Sequence, residues 1–161
     1  MSARVATEGG TTNVATGIPV LDHLLGLLAR TGRFDLALEL PPGDAEAEVA
    51  DAGRALGDAF APLLRDEGAL GYGSAVLPAD EALAQVALEV SERPLVASNV
   101  DLTEARAGGL GSDLTARFLE AFVDAAGLTL HVRLIEGEDS RHVLEAIFKA
   151  LGAALHSASA R

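Results

Sequence analysis

Apolar and polar positions along this chain follow two periods, and the switches between them mark out the elements. Arg4-Val5-Ala6 and Asn13-Val14-Ala15 are short strand candidates within a Gly/Thr-rich start. Leu21, Leu24, Leu25 and Leu28 then recur at helical spacing, with Pro19 in the first turn and Gly32 just past the end. Phe34, Leu36, Leu38 and Leu40 alternate as a strand that Pro41-Pro42-Gly43 stops. A second helix is predicted over 45–64, its apolar face formed by Val49, Leu56, Phe60 and Leu63. Three strands follow at 71–77, 83–90 and 94–100, joined at Pro78-Ala79-Asp80-Glu81 and Ser91-Glu92-Arg93-Pro94. Beyond a glycine-rich loop at 105–111, Ser112 suits the N-cap of a third helix carrying Leu114, Phe118, Ala121 and Phe122. A strand over 128–135 and a helix opened by Ser140 complete the chain. Strands mixed with paired helices suggest an α+β sandwich with sheets on one side and helices on the other.

The pattern occurs twice. Shifted by 94 positions, Leu24, Leu25 and Leu28 fall on Phe118, Leu119 and Phe122, and Leu36, Leu40 and Gly43 fall on Leu130, Leu134 and Gly137. At a shift of 95, Arg54-Ala55-Leu56-Gly57 fall on Lys149-Ala150-Leu151-Gly152. The chain is therefore expected to be a single domain over 1–161 built from two duplicated half-domains, about 4–90 and 91–161. Each is expected to be a mixed β-sheet packed on two α-helices. The polar residues are distributed unevenly: His131, Arg141, His142 and Glu145 lie in the second copy where the first has Ala37, Glu46, Ala47 and Ala50.

Composition narrows the classes. Of the 161 residues 49% are hydrophobic but only 4% aromatic, so the core must be built from Leu, Val, Ala and a few Phe. A net charge of −12 argues against nucleic acid or an anionic membrane as partner, since both would repel the chain. Without cysteine there is no disulfide or thiolate chemistry. No charged-then-apolar leader or membrane-length apolar run is evident, so a cytoplasmic location is expected.

Arg141, Glu145, Lys149 and His156 share one face of the last predicted helix, which a solvated amphipathic surface would explain. A metal site is the sharper reading, because His142 and Glu145, three apart, share a helix edge and His131 on a strand and His23 on a helix add imidazoles. Histidines this scattered leave both readings open. Asp80-Glu81 and Glu136-Gly137-Glu138-Asp139 read as solvated turns.

Gly17-Ile18-Pro19-Val20-Leu21-Asp22-His23-Leu24-Leu25, Pro78-Ala79-Asp80-Glu81-Ala82-Leu83 and Ser91-Glu92-Arg93-Pro94 resemble imidazoleglycerol-phosphate dehydratase. So do Ala126-Gly127-Leu128-Thr129-Leu130-His131-Val132-Arg133 and Glu145-Ala146-Ile147-Phe148-Lys149-Ala150, in the same order and at the same spacing. The resemblance implies a duplicated α+β fold, trimers packed into a larger homo-oligomer and active sites between subunits. It implies a hydro-lyase of histidine biosynthesis that converts imidazole glycerol phosphate to imidazole acetol phosphate with two manganese ions. Carried over by position, it makes His23, His131, His142 and Glu145 metal ligands, with Glu46 an additional oxygen candidate, and Arg93 and Lys149 phosphate contacts.

The same resemblance marks departures. The family's His-His-x-x-Glu helix start is Arg141-His142-Val143-Leu144-Glu145 in the second copy and Glu46-Ala47-Glu48-Val49-Ala50 in the first. The family's glutamine after the Asp-His pair is Leu27, and its arginines before Tyr72-Gly73 are Leu70 and Gly71. With half the ligands, one manganese ion or none is expected, and activity reduced or absent. The alternatives are a catalytically dead paralogue that co-assembles with an active homologue, and a module binding a small anion through Arg93 and Lys149.

Overall fold

The computed structural model describes residues 2–7, 11–41, 43–100 and 112–160, the side chains of residues 2, 112 and 113 aside. The glycine-rich loop, the cap expected at Ser112 and Pro42 of the strand stop lie outside the described residues. The elements are β1 (Ser2–Thr7), β2 (Thr12–Ala15), α1 (Pro19–Gly32), β3 (Phe34–Glu39), α2 (Ala45–Arg65), β4 (Tyr72–Ala79) and β5 (Ala82–Val90). They continue with β6 (Leu95–Ser98), α3 (Ser112–Ala126), β7 (Leu128–Glu136) and α4 (Ser140–Ser159).

Two sheets form. The first has the order β1-β3-β2 and the second β4-β5-β7-β6. In each, the central strand has an antiparallel neighbour (β1 on β3, β5 on β7) and a parallel one (β2 on β3, β6 on β7). A helix joins each parallel pair, as a crossover between parallel strands requires. The duplication is thus topological: β1-β2-α1-β3-α2 repeats as β5-β6-α3-β7-α4, and β4 has no counterpart. The boundary expected near residue 90 falls between β5 and β6, inside the second sheet. The topological break comes earlier, in the connection between α2 and β4. Strand pairing decides this, and β5 pairs along its length with β4 and β7.

The α+β class and the two mixed sheets agree with the sequence, but the layers are arranged differently. The helices lie between the sheets, with α1 and α2 against the first and α3 and α4 against the second. The two halves join through α2 on α3 and α1 on α4. Glycines permit both crossings. A Cβ at Gly57 of α2 would lie 2.6 Å from the Phe122 carbonyl oxygen of α3, and one at Gly152 of α4 would lie 2.2 Å from that of Leu28 in α1. These two glycines are the pair that the 95-residue shift superposes.

All five phenylalanines are fully buried and run through the middle of the molecule. Phe34 of β3 meets Phe60 of α2 edge-on at 4.9 Å, and Phe60 meets Phe122 of α3 at 5.8 Å. Phe122 stacks with Phe118, which contacts Phe148 of α4. Leu21, Leu24, Leu25, Leu28 and Leu56 fill the space around them, as the helical spacing predicted. Among the described residues no helix is long and apolar enough to cross a membrane.

Candidate functional site

Three caps and a turn fix the polar residues. α1 starts at Ile18, which has no side chain able to cap. Asp22 reaches back instead, its Oδ1 accepting from the Thr16 N–H at 2.9 Å and the Thr16 hydroxyl at 2.6 Å. This holds the first turn that carries His23. Asp139 caps α4, its Oδ1 accepting from the N–H groups of Arg141 (2.9 Å) and His142 (3.3 Å). Asp44 caps α2 by accepting from the Ala47 N–H at 2.8 Å. The β4–β5 connection is a tight turn in which Asp80 adopts a left-handed φ of 54°.

Along the first turns of α4 two imidazole–carboxylate pairs lie side by side. His23 Nε2 of α1 is 2.7 Å from Glu145 Oε2. One turn earlier, His142 Nδ1 is 2.8 Å from Glu81 Oε2 of the β4–β5 turn. Glu81 Oε1 accepts from the Asp139 N–H at 3.2 Å, so both oxygens of this carboxylate are engaged. Asp80 completes a group in which one donor atom each from Asp80, Glu81 and His142 lie within 4.8 Å of one another. Lys149 Nζ donates to the Pro78 carbonyl at 2.7 Å and ties β4 to α4 just before this turn.

Three of the four stripe residues on α4 bond to other elements, although His156 itself stays exposed. Glu145 pairs with α1, Lys149 with β4, and His156 Nδ1 lies 2.8 Å from the Gly32 carbonyl at the end of α1. Among the described residues Arg141 has no close partner: its side chain is 67% exposed, with Nε 4.0 Å from Glu145. At that distance and exposure the ion pair contributes little; the close partner of Glu145 is His23.

The remaining expected site residues lie elsewhere. Glu46 forms an ion pair with Arg117 of α3. His131 is on the outer face of the second sheet, where it shares a cavity of about 630 Å³ with Gln85, Asn99 and Arg133. Its neighbours Leu130 and Val132 point inward to the core, so alternation along β7 turns His131 away from α4. Arg93 follows β5, at the end opposite the Pro78–Glu81 turn. The nine residues of β5 separate it from Lys149 by roughly 25–30 Å at about 3.3 Å per residue. Within one chain the site residues thus form one cluster of His23, His142 and Glu145, with Lys149 a turn further on, and His131, Glu46 and Arg93 stand apart. Sequence reasoning missed Asp80 and Glu81 as members of the cluster. Their signal was present as adjacent carboxylates in a turn, but nothing local showed which helix that turn would meet.

The hydrogen bond to His142 holds the Glu81 carboxyl below its ordinary pKa, and the same bond holds the His142 imidazole above its ordinary one. The signs fix a window. The pair's contribution is lost as pH falls through the lowered Glu81 value, and it is lost again as pH rises through the raised His142 value. In a proton NMR titration with EDTA present, His142 is expected to titrate above an ordinary histidine. Glu81→Gln should bring it down, and an unmoved midpoint would mean that the pair does not form in solution.

The sequence profile of the family described as imidazoleglycerol-phosphate dehydratase matches residues 16–155. The chain is 45% identical over 161 residues to an imidazoleglycerol-phosphate dehydratase of Moorella thermoacetica, covering 96% of this chain and 82% of that protein. To the enzyme of the same description from Pelobacter propionicus it is 41% identical over 155 residues, covering 93% and 79%. The fold is similar to the crystal structure of imidazoleglycerol-phosphate dehydratase from Staphylococcus aureus, with a TM-score of 0.88, 30% identity and coverage of 98% of this chain and 92% of that one.

Proposed function

Because the chain belongs to the imidazoleglycerol-phosphate dehydratase family, we propose that it keeps the family's hydro-lyase fold but assembles no two-metal centre, so that dehydration of imidazole glycerol phosphate is reduced or absent. The observation that carries this reading is the donor set at the two helix starts. Ala47 and Ala50 offer no donor atom, Glu46 is engaged by Arg117, and Arg141 brings a cation to the start of α4. A pair of manganese ions needs donors enough to offset its charge and fix its geometry, and these residues do not fit such a pair.

Arg93 and Lys149 are the proposed phosphate contacts. The Lys149 ammonium has donors to spare beyond its bond to Pro78, and the Arg93 guanidinium has no protein partner among the described residues. Because they lie at opposite ends of β5, one phosphate could meet both only across two chains. A homo-oligomer built from trimers meets that need. The uncovered outer face of the second sheet supports assembly, since it exposes Tyr72 (61%), Leu95 (52%) and Val76 (48%) around His131.

Protein purified with manganese should contain fewer than two ions per chain. Its formation of imidazole acetol phosphate should be at least about tenfold below that of an active relative assayed alongside, a barrier difference of roughly 1.4 kcal/mol or more. Two ions per chain with turnover equal to the relative would sink this reading. Light scattering on the same preparation should give a multimeric mass, and a monomer would remove the shared phosphate site.

A further inference from the structure

We propose that the free edge of β1, with the C-terminal half of α2 beneath it, is a strand-addition groove that takes an extended segment of another polypeptide, with an acidic residue opposite Arg4 and a glycine opposite Val5. The groove lies on the first half and shares no residue with the His23, His142 and Glu145 cluster, so it stands whether or not dehydratase activity is lost.

The unequal sheets locate it. β4 pairs with the outer edge of β5, whereas the same edge of β1 meets no strand among the described residues. A cavity of about 710 Å³ lies there, lined by Arg4 and Val5 of β1 and by Ala59, Pro62 and Leu63 of α2, and it continues over the sheet to Asp35. At the 95-residue shift those three helix residues fall on Ala154, Ser157 and Ala158 of α4. These are the residues on which β4 rests. A Cβ on Gly73 would lie 2.3 Å from the Ala154 carbonyl oxygen and 2.9 Å from both the Ala158 nitrogen and the Ser157 Cβ. The cavity is therefore the first half's copy of the seat of β4, beside an edge whose N–H and C=O groups an added strand satisfies.

Register follows from the same duplication. Leu88, Ala87 and Val86 of β5 pair with Leu130, His131 and Val132, as Val5, Arg4 and Ala3 of β1 pair with Leu36, Ala37 and Leu38. The 94-residue shift superposes the two partner sets, so Val5, Arg4 and Ala3 take the places of Leu88, Ala87 and Val86. β4 sets Gly73, Ser74 and Ala75 opposite those places. A strand added antiparallel to β1 thus turns its counterpart of Gly73 inward onto α2 and its counterpart of Ser74 outward beside Arg4. Pro62 and Leu63 are bulkier than Ser157 and Ala158, which keeps the inward position for glycine. Arg4 is exposed and favours a carboxylate directly across from it, since opposite charges stabilise a cross-strand pair and like charges disrupt it.

The occupant has to be a bare strand. α4 packs beneath both β4 and β5, and α2 holds the equivalent place beneath β1 and the groove. A second copy's β1, brought to this edge by a two-fold axis, would carry its own α2 into the same space. That clash excludes edge-to-edge pairing of two copies and leaves an extended segment with no helix behind it.

The test uses the full-length chain and, as probes, a fluorescent peptide of residues 72–79 in Ser74→Glu and Ser74→Lys forms. Anisotropy should show saturable binding of one Ser74→Glu peptide per chain below about 1 mM, with the Ser74→Lys peptide at least about fivefold weaker. In Arg4→Glu protein the order of the two peptides should reverse. Ala59→Leu fills the seat from an open helix position and should abolish binding of both while leaving the melting temperature unchanged. Amide exchange in the complex should slow along β1. No binding at that concentration, an order that Arg4→Glu leaves unreversed, binding that survives Ala59→Leu, or slowed exchange along β5 in place of β1 would each overturn the proposal. Manganese content and turnover bear on none of these outcomes, so this groove and the reading of the previous subsection fail separately.

Discussion

Phe60→Ala is expected to destabilise the protein by about 3–5 kcal/mol, enough to remove much of the roughly 5–15 kcal/mol that holds a domain together. Phe60 is fully buried in α2 and is the aromatic link between the halves, edge-on to Phe34 at 4.9 Å and to Phe122 at 5.8 Å. Truncation removes a large transfer term, leaves a cavity, and forfeits two aromatic contacts worth about 0.5–1.5 kcal/mol each. Phe34 sits on a strand and Phe122 on a helix of the other half, so neither can move in to fill the space without shifting its whole element. For a chain of this size the melting temperature should fall by roughly 6–20 °C. A guanidinium titration reads the loss directly. A change under 1 kcal/mol would mean that the core collapses onto the cavity and that the phenylalanine chain is not its support.

Gly152→Ala is the second large effect, and it connects stability to the candidate site. The added Cβ would lie 2.2 Å from the Leu28 carbonyl oxygen and 3.0 Å from the Leu28 Cα, both backbone atoms of α1. No rotamer relieves such a clash; α4 must move away from α1. Overpacking of this kind costs about 1–3 kcal/mol or more. The same displacement should lengthen the contact of His23 on α1 with Glu145 on α4, now 2.7 Å. Gly26→Ala is the matched control. It also lies in α1, but its Cβ would meet only Thr12 Cγ2, at 4.0 Å, and it should stabilise by about 0.5–1 kcal/mol through helix propensity. Equal and opposite melting shifts are not required, but a Gly152→Ala protein as stable as the parent would disprove the close crossing.

Residues whose role is set within a turn or two were readable in the sequence. Leu21, Leu24, Leu25 and Leu28 declare both helix and buried face, and alternation from Phe34 to Leu38 declares a strand with one face inward. The shift superposing Gly57 on Gly152 declared the repeat, but that both glycines sit at close helix crossings is visible only in the structure. Roles set by partners distant in sequence were hidden. His23 and Glu145 were each recognised as ligand types, yet their separation of 122 positions concealed that they bond to each other. Asp80-Glu81 looked like an ordinary wet turn, since the meeting with His142 depends on how α4 lies across the β4–β5 hairpin. Glu48 was also missed. It sits on α2 between Ala47 and Val49 and looks solvated, but it is buried, with Oε1 accepting from the Gly43 N–H at 2.9 Å.

The exchange of helices between the halves has a consequence for synthesis on the ribosome. α1 is covered by α4, which is made much later, and the connection between them includes almost the whole second half. At translation rates of about 5–20 residues per second, the leucine face of α1 stays without its partner for on the order of ten seconds. The first sheet and its two helices therefore cannot finish folding as they emerge. The nascent chain therefore carries an apolar stripe until the elements between α1 and α4 have been made. Shuffling the order of the two halves would move this waiting period from one helix pair to the other without abolishing it.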